Sequence, residues 1–232
     1  MTDRYIINKN LENVIENIEK SCSKVGKKFK DIKIIGVTKN VDIEKMEILK
    51  SLGIKDFGEN KAQELLQKYE KIDNISWNFI GNLQTNKVKY IIDKVDLIQS
   101  VNSIKLLNEI DKRAFSISKN IKILLEINIA REESKNGILE EELPFFVDEI
   151  KRLKNITLNG LMCIAPFVEN SNQNAQYFKK MRKLFVDIKY KNKDNINMKY
   201  LSMGMTNDYN IAIEEGSNMI RIGTGIFGKR NY

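Results

Sequence analysis

Apolar positions in the first part of the chain recur at helical spacing. Within residues 8–26, Leu11, Val14, Ile15 and Ile18 fall on one face of a helix, which predicts a single amphipathic helix there. Beyond residue 26, short apolar runs alternate with amphipathic segments towards the C-terminus. The pattern therefore predicts one helix followed by repeated strand–helix units.

Eight of the apolar runs have the length of a strand. They are Ile32–Thr38, Lys55–Gly58, Ser76–Gly81, Asp96–Val101, Ile121–Ile129, Leu158–Ala165, Lys199–Gly204 and Met219–Gly223. Helices are predicted between them at Ile43–Leu52, Ala62–Tyr69, Asn86–Ile92, Ser103–Ala114, Glu140–Leu153, Asn174–Tyr190 and Asp208–Glu215. Several strands are apolar at consecutive positions, which is typical of strands covered on both faces.

Alternating strands and helices of this kind form parallel sheets. Eight units in 232 residues predict an α/β fold, a single (β/α)8 barrel of the TIM type with an additional N-terminal helix. An open, doubly wound sheet is the alternative. Only two prolines occur and no serine- or glycine-rich linker divides the chain, so we expect one domain over residues 1–232.

The composition excludes several kinds of chemistry. The chain contains no histidine, which rules out Ser-His-Asp and Cys-His catalysis and histidine-rich zinc sites. Cys22 and Cys163 are far apart in sequence and have no metal-binding spacing, so no metal is expected. With no signal peptide and no apolar run long enough to span a bilayer, we expect a cytoplasmic protein with free thiols and no membrane contact.

The net charge of +8 favours anionic partners such as phosphate esters or nucleic acid. The lysines are scattered along the chain, however, and no basic run is interleaved with aromatic residues. We therefore expect no nucleic-acid binding. An RNA-binding protein remains the alternative, and it would show a salt-dependent affinity for RNA.

Active sites of TIM barrels lie at the C-terminal ends of the strands. Among the residues that end the predicted strands, the only lysine is Lys39, which follows the run from Ile34 to Thr38. An amine that starts from the barrel wall is partly desolvated, and desolvation favours the neutral form that attacks a carbonyl. The alternative is a lysine that extends from the rim into water.

Glycine-rich loops follow the seventh and eighth predicted strands, where such barrels frequently bind phosphate. Gly223 allows backbone N–H groups to approach an anion, and Thr206 and Thr224 add hydroxyl donors. The alternative is that the glycines only shape turns. Elsewhere, Glu126 lies within an apolar strand. The sequence leaves open whether this carboxylate orients a site group or satisfies a core contact.

Seven motifs, in order along nearly the whole chain, resemble one known family. They are Gly36–Lys39, Phe57–Glu64, Phe79–Lys87, Glu126–Ile129, Gly160–Pro166, Leu201–Asp208 and Arg221–Gly228. The chain resembles the pyridoxal phosphate homeostasis proteins, whose barrel is similar to the N-terminal domain of alanine racemase and to that of ornithine decarboxylase.

The resemblance implies that pyridoxal 5'-phosphate (PLP) is the cofactor, and it assigns a role to seven residues. Lys39 matches the lysine that forms the internal aldimine, a Schiff base, and Arg221 matches the arginine that faces the pyridine nitrogen. Thr206, Gly223 and Thr224 match the phosphate-binding positions, and Asn60 and Met203 match residues that line the cofactor pocket. No catalytic residue is assigned.

Three positions depart from the family pattern. The family often has serine at the position of Thr206, which preserves a hydroxyl, and alanine at the position of Gly225. It often has histidine at the position of Asn78, so any role of that histidine is in doubt here.

The resemblance implies a PLP carrier or buffer in vitamin B6 homeostasis, with PLP-dependent apoenzymes as recipients. The racemases with a similar barrel carry a second, β-rich domain that supplies a tyrosine acid/base. Since the sequence ends four residues after Gly228, we expect no such domain, a monomer and no fast catalysis. The alternative is a racemase-like PLP enzyme of fold type III.

Overall fold

The computed structural model describes residues 2–190 and 195–228. All eight predicted strands are present. Their bounds are β1 Lys33–Val37, β2 Asp56–Glu59, β3 Ser76–Phe79, β4 Leu97–Val101, β5 Ile121–Glu126, β6 Ile156–Met162, β7 Ile196–Ser202 and β8 Met219–Ile222. Each predicted strand extended one to several residues too far at one end or the other, because apolar periodicity continues into the loops that the barrel buries.

The strands form a closed parallel barrel in sequence order. Closure is made by β1 and β8, in which Lys33 pairs with Met219 and Gly36 pairs with Ile222. The predicted barrel is therefore confirmed, and the alternative of an open sheet is excluded.

Helices follow the strands around the outside of the barrel. They are α1 Asp3–Lys24, α2 Ile43–Ser51, α3 Ala62–Tyr69, α4 Val88–Ile91, α5 Ile104–Ser116, α6 Leu143–Lys151, α7 Ala175–Lys189, α8 Tyr209–Glu214 and α9 Thr224–Phe227. The prediction missed α9, because four residues that include a glycine carry no periodic signal.

The additional N-terminal helix is present and starts earlier than predicted. The Thr2 hydroxyl accepts a hydrogen bond from the backbone N–H of Tyr5 and caps α1. Helix α1 contacts α8 and α9, the two short helices next to the barrel closure. The side chain of Asn10 donates a hydrogen bond of 2.9 Å to the carbonyl of Ile226. Helix α1 thus covers the part of the barrel where the connecting helices are too short to do so.

The barrel interior changes from apolar to polar along the strands. Ile35, Leu97, Leu124, Met162 and Met219 form one buried apolar cluster. Residues two positions apart on a strand point to the same side, so Gln99, Glu126 and Arg221 lie above Leu97, Leu124 and Met219 respectively. This places a layer of polar side chains in the interior, directly beneath the C-terminal end of the barrel.

The described residues contain neither a membrane-spanning helix nor a cluster of metal ligands. No helix among them is both long and apolar enough to cross a membrane. No group of three or more cysteine, aspartate or glutamate side chains in the same ranges could hold a metal ion.

Both thiols are predicted to be unreactive in the native protein. Cys22 and Cys163 are free and buried. Burial raises the pKa of both thiols, that of Cys163 to about 12, so little thiolate is available to attack a disulfide reagent. At about pH 8, we expect 5,5'-dithiobis(2-nitrobenzoic acid) to titrate two thiols only after denaturant is added. Rapid titration of a thiol without denaturant would contradict this burial.

Candidate cofactor-binding site

The residues singled out in the sequence are all at the C-terminal end of the barrel strands. Arg221 lies within β8, and the others follow strands: Lys39 after β1, Asn60 after β2, Met203 and Thr206 after β7, and Gly223 and Thr224 after β8. The fold therefore collects at one end groups that are spread over most of the chain.

Lys39 follows β1, and the predicted phosphate-binding loop follows the neighbouring strand, β8. Because Gly36 pairs with Ile222 across β1 and β8, Lys39 and Gly223 follow adjacent strands at the same end. The Lys39 side chain is half-buried. This intermediate exposure fits both a lysine within the site and the alternative of a lysine that extends from the rim into water.

Thr206 and Thr224 bring two hydroxyl groups together. Their Oγ1 atoms lie 3.4 Å apart, and the Thr206 hydroxyl also accepts a hydrogen bond of 3.1 Å from the backbone N–H of Gly225. The two threonines line a cavity of about 490 Å³, which Lys135 also lines. The Lys135 ammonium forms an ion pair of 2.7 Å with Glu132, which lines the same cavity, so the two hydroxyls are the groups there that suit a phosphate ester. No sequence pattern predicts Lys135 at this position, because the β5–α6 loop folds it back into the cavity wall.

The loop that carries Thr206 is tied to the loop after β6. The Asp208 carboxylate accepts a hydrogen bond of 2.7 Å from the backbone N–H of Met205. The Asn174 amide donates to Asp208 at 2.9 Å and to the carbonyl of Pro166 at 3.1 Å. These bonds hold the loop that carries Thr206 in place against the loop after β6.

Arg221 stands at the end of a hydrogen-bonded chain that crosses the barrel interior. Its guanidinium donates to the Ser202 hydroxyl at 2.7 Å and to the carbonyl of Cys163 at 2.8 Å. The Ser202 hydroxyl in turn bonds the Gln99 amide oxygen at 2.7 Å, and the Gln99 amide donates to Asn78 at 3.1 Å. Asn78 is thus the far end of a chain that orients Arg221.

Glu126 and Arg221 are opposite charges buried in the same polar layer. Their exposed fractions are 6% and 3%. Burial raises the pKa of Glu126 to about 7, although the positive charge of Arg221 acts in the opposite direction. Burial also lowers the pKa of Arg221. Glu126 therefore belongs to the electrostatic surroundings of Arg221, and it is not an isolated core contact.

Asn60 and Met203 differ in how they border the site. The Oδ1 atom of Asn60 is buried and has no hydrogen-bond partner among the described residues. The chain at Gly81 passes so close that a Cβ there would lie 2.1 Å from the Asn60 carbonyl oxygen. Asn60 lines a second cavity, of about 190 Å³, separate from that of Thr206. Met203 is fully buried.

The geometry fits a phosphorylated aldehyde. The half-buried Lys39 follows β1, the Thr224 hydroxyl follows the neighbouring strand β8, the Arg221 guanidinium is buried within β8, and the Asn60 acceptor lacks a partner. Buried polar atoms normally have a hydrogen-bond partner, so the Asn60 acceptor is available to a ligand that extends from the Thr206 cavity to the separate cavity that Asn60 lines.

Comparison with known proteins agrees with the fold and the motifs. Residues 10–231 match the family model described as the alanine racemase N-terminal domain. The pyridoxal phosphate homeostasis protein of Aquifex aeolicus is 40% identical over 96% of this chain and 97% of its own length. That of Haemophilus influenzae is 34% identical over 97% of both. PipY of Synechococcus elongatus, solved with PLP bound, superposes with a TM-score of 0.80 at 26% identity over 91% of this chain and all of its own.

The fold and the residues at its C-terminal end define the class, a parallel barrel of the alanine racemase N-terminal type. Within that class, the chain belongs to the family of pyridoxal phosphate homeostasis proteins.

The raised pKa of Glu126 predicts a pH-dependent stability. Because the unfolded chain loses this proton near pH 4.5 and the folded chain near pH 7, ionisation of Glu126 destabilises the fold progressively between these values. The penalty is on the order of 3 kcal/mol and stays constant at higher pH. Relative to wild type, Glu126→Gln should therefore gain free energy of unfolding at about pH 8 that it does not gain at about pH 4.

Urea unfolding of both proteins at the two pH values measures this difference. Glu133→Gln, which changes an exposed glutamate of the β5–α6 loop, is the control and should show no such gain. An equal effect of Glu126→Gln at both pH values would contradict the assignment.

Proposed function

We propose that this protein binds PLP, holds it as a Schiff base on Lys39 and acts as a carrier or buffer in intracellular vitamin B6 homeostasis. The observation that supports the proposal is the pairing of β1 with β8: Lys39 follows β1, and Thr224, whose hydroxyl lies 3.4 Å from that of Thr206, follows β8. The PLP-bound structure of PipY and the names of the curated relatives support the same ligand.

The two ends of the ligand would be held by different chemistry. PLP supplies an aldehyde that condenses with an amine and releases water. Lys39 provides that amine from the half-buried rim of β1. At the other end, the Thr206 and Thr224 hydroxyls would hold the phosphate, and Gly223 would give it access to the backbone. Lys135 lies in the same cavity wall, paired with Glu132. Asn60 and Met203 would border the ring.

Arg221 supports a storage role over catalysis. A guanidinium has only donors and does not lose its proton, so an arginine that faces the pyridine nitrogen does not keep the ring protonated. The ring is then a weaker electron sink than one paired with a carboxylate. The bonds to Ser202 and to the carbonyl of Cys163 hold the guanidinium in one orientation. We propose that the protein is not a fast catalyst because racemisation also needs acid/base groups on both faces of the substrate α-carbon, and among the described residues we identify only Lys39 for that role.

The proposal includes where the protein works and with what. We propose a cytoplasmic monomer whose recipients are PLP-dependent apoenzymes, and which binds neither nucleic acid nor membranes. The monomer is tested by light scattering of the eluted protein, with and without PLP.

The second candidate is a racemase-like enzyme, which the match to the alanine racemase N-terminal domain favours. It requires turnover of an amino acid that disappears in Lys39→Ala. Chiral chromatography of alanine and other amino acids after long incubation tests this possibility.

Lys39 is predicted to be the only site of covalent attachment. Mixing the protein with PLP should produce the absorbance band of an imine, and borohydride should then fix a pyridoxyl group on the peptide that contains Lys39. Lys39→Ala should lose both signals. Lys61→Ala, which removes an exposed lysine beside Asn60 on the same face, should retain them. Label spread over many lysines, or no imine band, would contradict the proposed function.

A carrier is predicted to protect its ligand and still deliver it. The loaded protein is mixed with the apo form of a PLP-dependent enzyme and with a phosphatase that destroys PLP in solution. We expect activity of the apoenzyme to recover, whereas an equal amount of free PLP should fail under the same conditions. Lys39→Ala should behave like free PLP. Failure of the wild-type protein to deliver under phosphatase would exclude direct handover.

A further inference from the structure

A buried cluster of charged groups lies behind the segment that carries Lys39. We call Thr38, Glu59, Glu64 and Lys68 the Lys68 cluster. Thr38 directly follows β1, Glu59 ends β2, and the other two residues belong to α3. Thr38 and Glu59 have no exposed surface, and only 8% of Lys68 is exposed. The cluster therefore joins the ends of two strands to one helix inside the protein.

The ammonium of Lys68 has three hydrogen-bond donors, and all three are used. Nζ donates to Glu59 Oε1 at 2.7 Å, to Glu64 Oε1 at 2.7 Å and to the carbonyl of Thr38 at 2.6 Å. Burial raises the pKa of Glu59, whereas the charge and the hydrogen bond of Lys68 oppose that rise. Two carboxylates and one ammonium leave one negative charge, so Lys68 is the group that makes this burial tolerable.

The cluster fixes the residues on both sides of Lys39. On one side, Thr38 is held through its carbonyl by Lys68 and through its hydroxyl, which donates to Glu59 at 2.6 Å. On the other side, the backbone N–H of Asn40 donates to Glu64 at 2.5 Å. Asn40 has a φ of 57°, in the left-handed region, which asparagine adopts more readily than most non-glycine residues.

The hydrogen bonds that hold Thr38 and Asn40 both lead to Lys68. The groups that hold Thr38 and Asn40 meet at the Lys68 ammonium, so the backbone at Lys39 cannot turn or shift without disturbing a buried ion pair. A bare amine on a mobile rim would meet the aldehyde in many orientations, whereas a fixed backbone restricts its approach. The Lys68 side chain itself ends on Thr38, Glu59 and Glu64, and acts on Lys39 through them.

We propose that Lys68 is a positioning residue for Lys39: together with Glu59 and Glu64, it aligns the backbone so that the Lys39 amine meets the aldehyde of the bound ligand. This inference rests on the proposed function. It predicts that loss of Lys68 weakens the covalent step and spares the contacts that hold the phosphate and the ring.

The experiment compares two ligands on the Lys68→Met variant. One is PLP, and the other is 4'-deoxypyridoxine 5'-phosphate, which keeps the ring and phosphate but has a methyl group in place of the aldehyde. We expect the variant to bind PLP about tenfold more weakly, as for the loss of one charged hydrogen bond. The affinity for the deoxy analogue should change by less than about twofold. Absorbance of the imine and titration calorimetry measure the two affinities.

Lys33→Met is the matched control. Lys33 forms an ion pair of 2.7 Å with Asp56, and this pair joins the same two strands at their opposite ends. We expect it to leave both affinities unchanged. If Lys68→Met does not fold, Glu64→Ala removes the anchor of Asn40 and leaves the pair of Lys68 with Glu59. It should weaken PLP binding selectively and to a smaller extent.

The outcomes distinguish failure of the inference about Lys68 from failure of the proposed function. Equal weakening of both ligands in the Lys68 or Glu64 variant would show a general structural role and overturn the inference. Unchanged PLP affinity would overturn it as well. In the Lys39→Ala background, Lys68→Met should have no further effect on PLP affinity. If the wild-type protein forms no imine on Lys39, the proposed function itself fails, which is a result distinct from any of these.

Discussion

The parallel pairing of β1 with β8 is the constraint on which the rest of the structure depends. It closes the barrel, and closure of eight parallel strands brings all their C-terminal ends to one rim. Lys39 and the Gly223–Thr224 turn become neighbours only through this pairing. The candidate site thus depends on the strand order of the barrel, because its residues come from segments that are far apart in the chain.

Beneath that rim, the barrel interior is divided into an apolar and a polar layer. The apolar layer provides the hydrophobic burial that every barrel of this size needs. The polar layer contains Arg221, Glu126 and the chain from Ser202 to Asn78, and every buried polar group in it that is left unpaired would cost stability. The protein tolerates this arrangement at the place where a charged ligand would be recognised, which is where local departures from an apolar core are expected.

Much of this could be predicted from the sequence. Consecutive apolar residues in short runs indicated buried parallel strands, and their number indicated a barrel. The position of Lys39 and the glycines after β7 and β8 indicated which end of the barrel carries the chemistry. The fold prediction succeeded because strand burial and strand number follow from the order of elements along the chain, whereas the role of Lys39 and of these glycines stays a prediction.

Other features depend on packing that a linear pattern does not contain. Glu64 and Lys68 are four residues apart on α3, a spacing that usually marks a solvated pair on a helix surface. Only the packing of α3 against the ends of β1 and β2 buries them. The same holds for Asn78, which stands where the family often has histidine. The sequence does not reveal that its amide belongs to the hydrogen-bonded chain that begins at Arg221.

The position of β1 and β8 at opposite ends of the chain also bears on how the protein acquires its site. Lys33–Val37 emerges early from the ribosome and must wait for Met219–Ile222 before the two strands can pair. Contacts between such distant segments form slowly, because a long loop must close before they are made. An unfinished chain therefore presents Lys39 without the phosphate loop or Arg221. Under the proposed function, the complete site would form only with the last strand, and an incomplete product of synthesis would not sequester the cofactor.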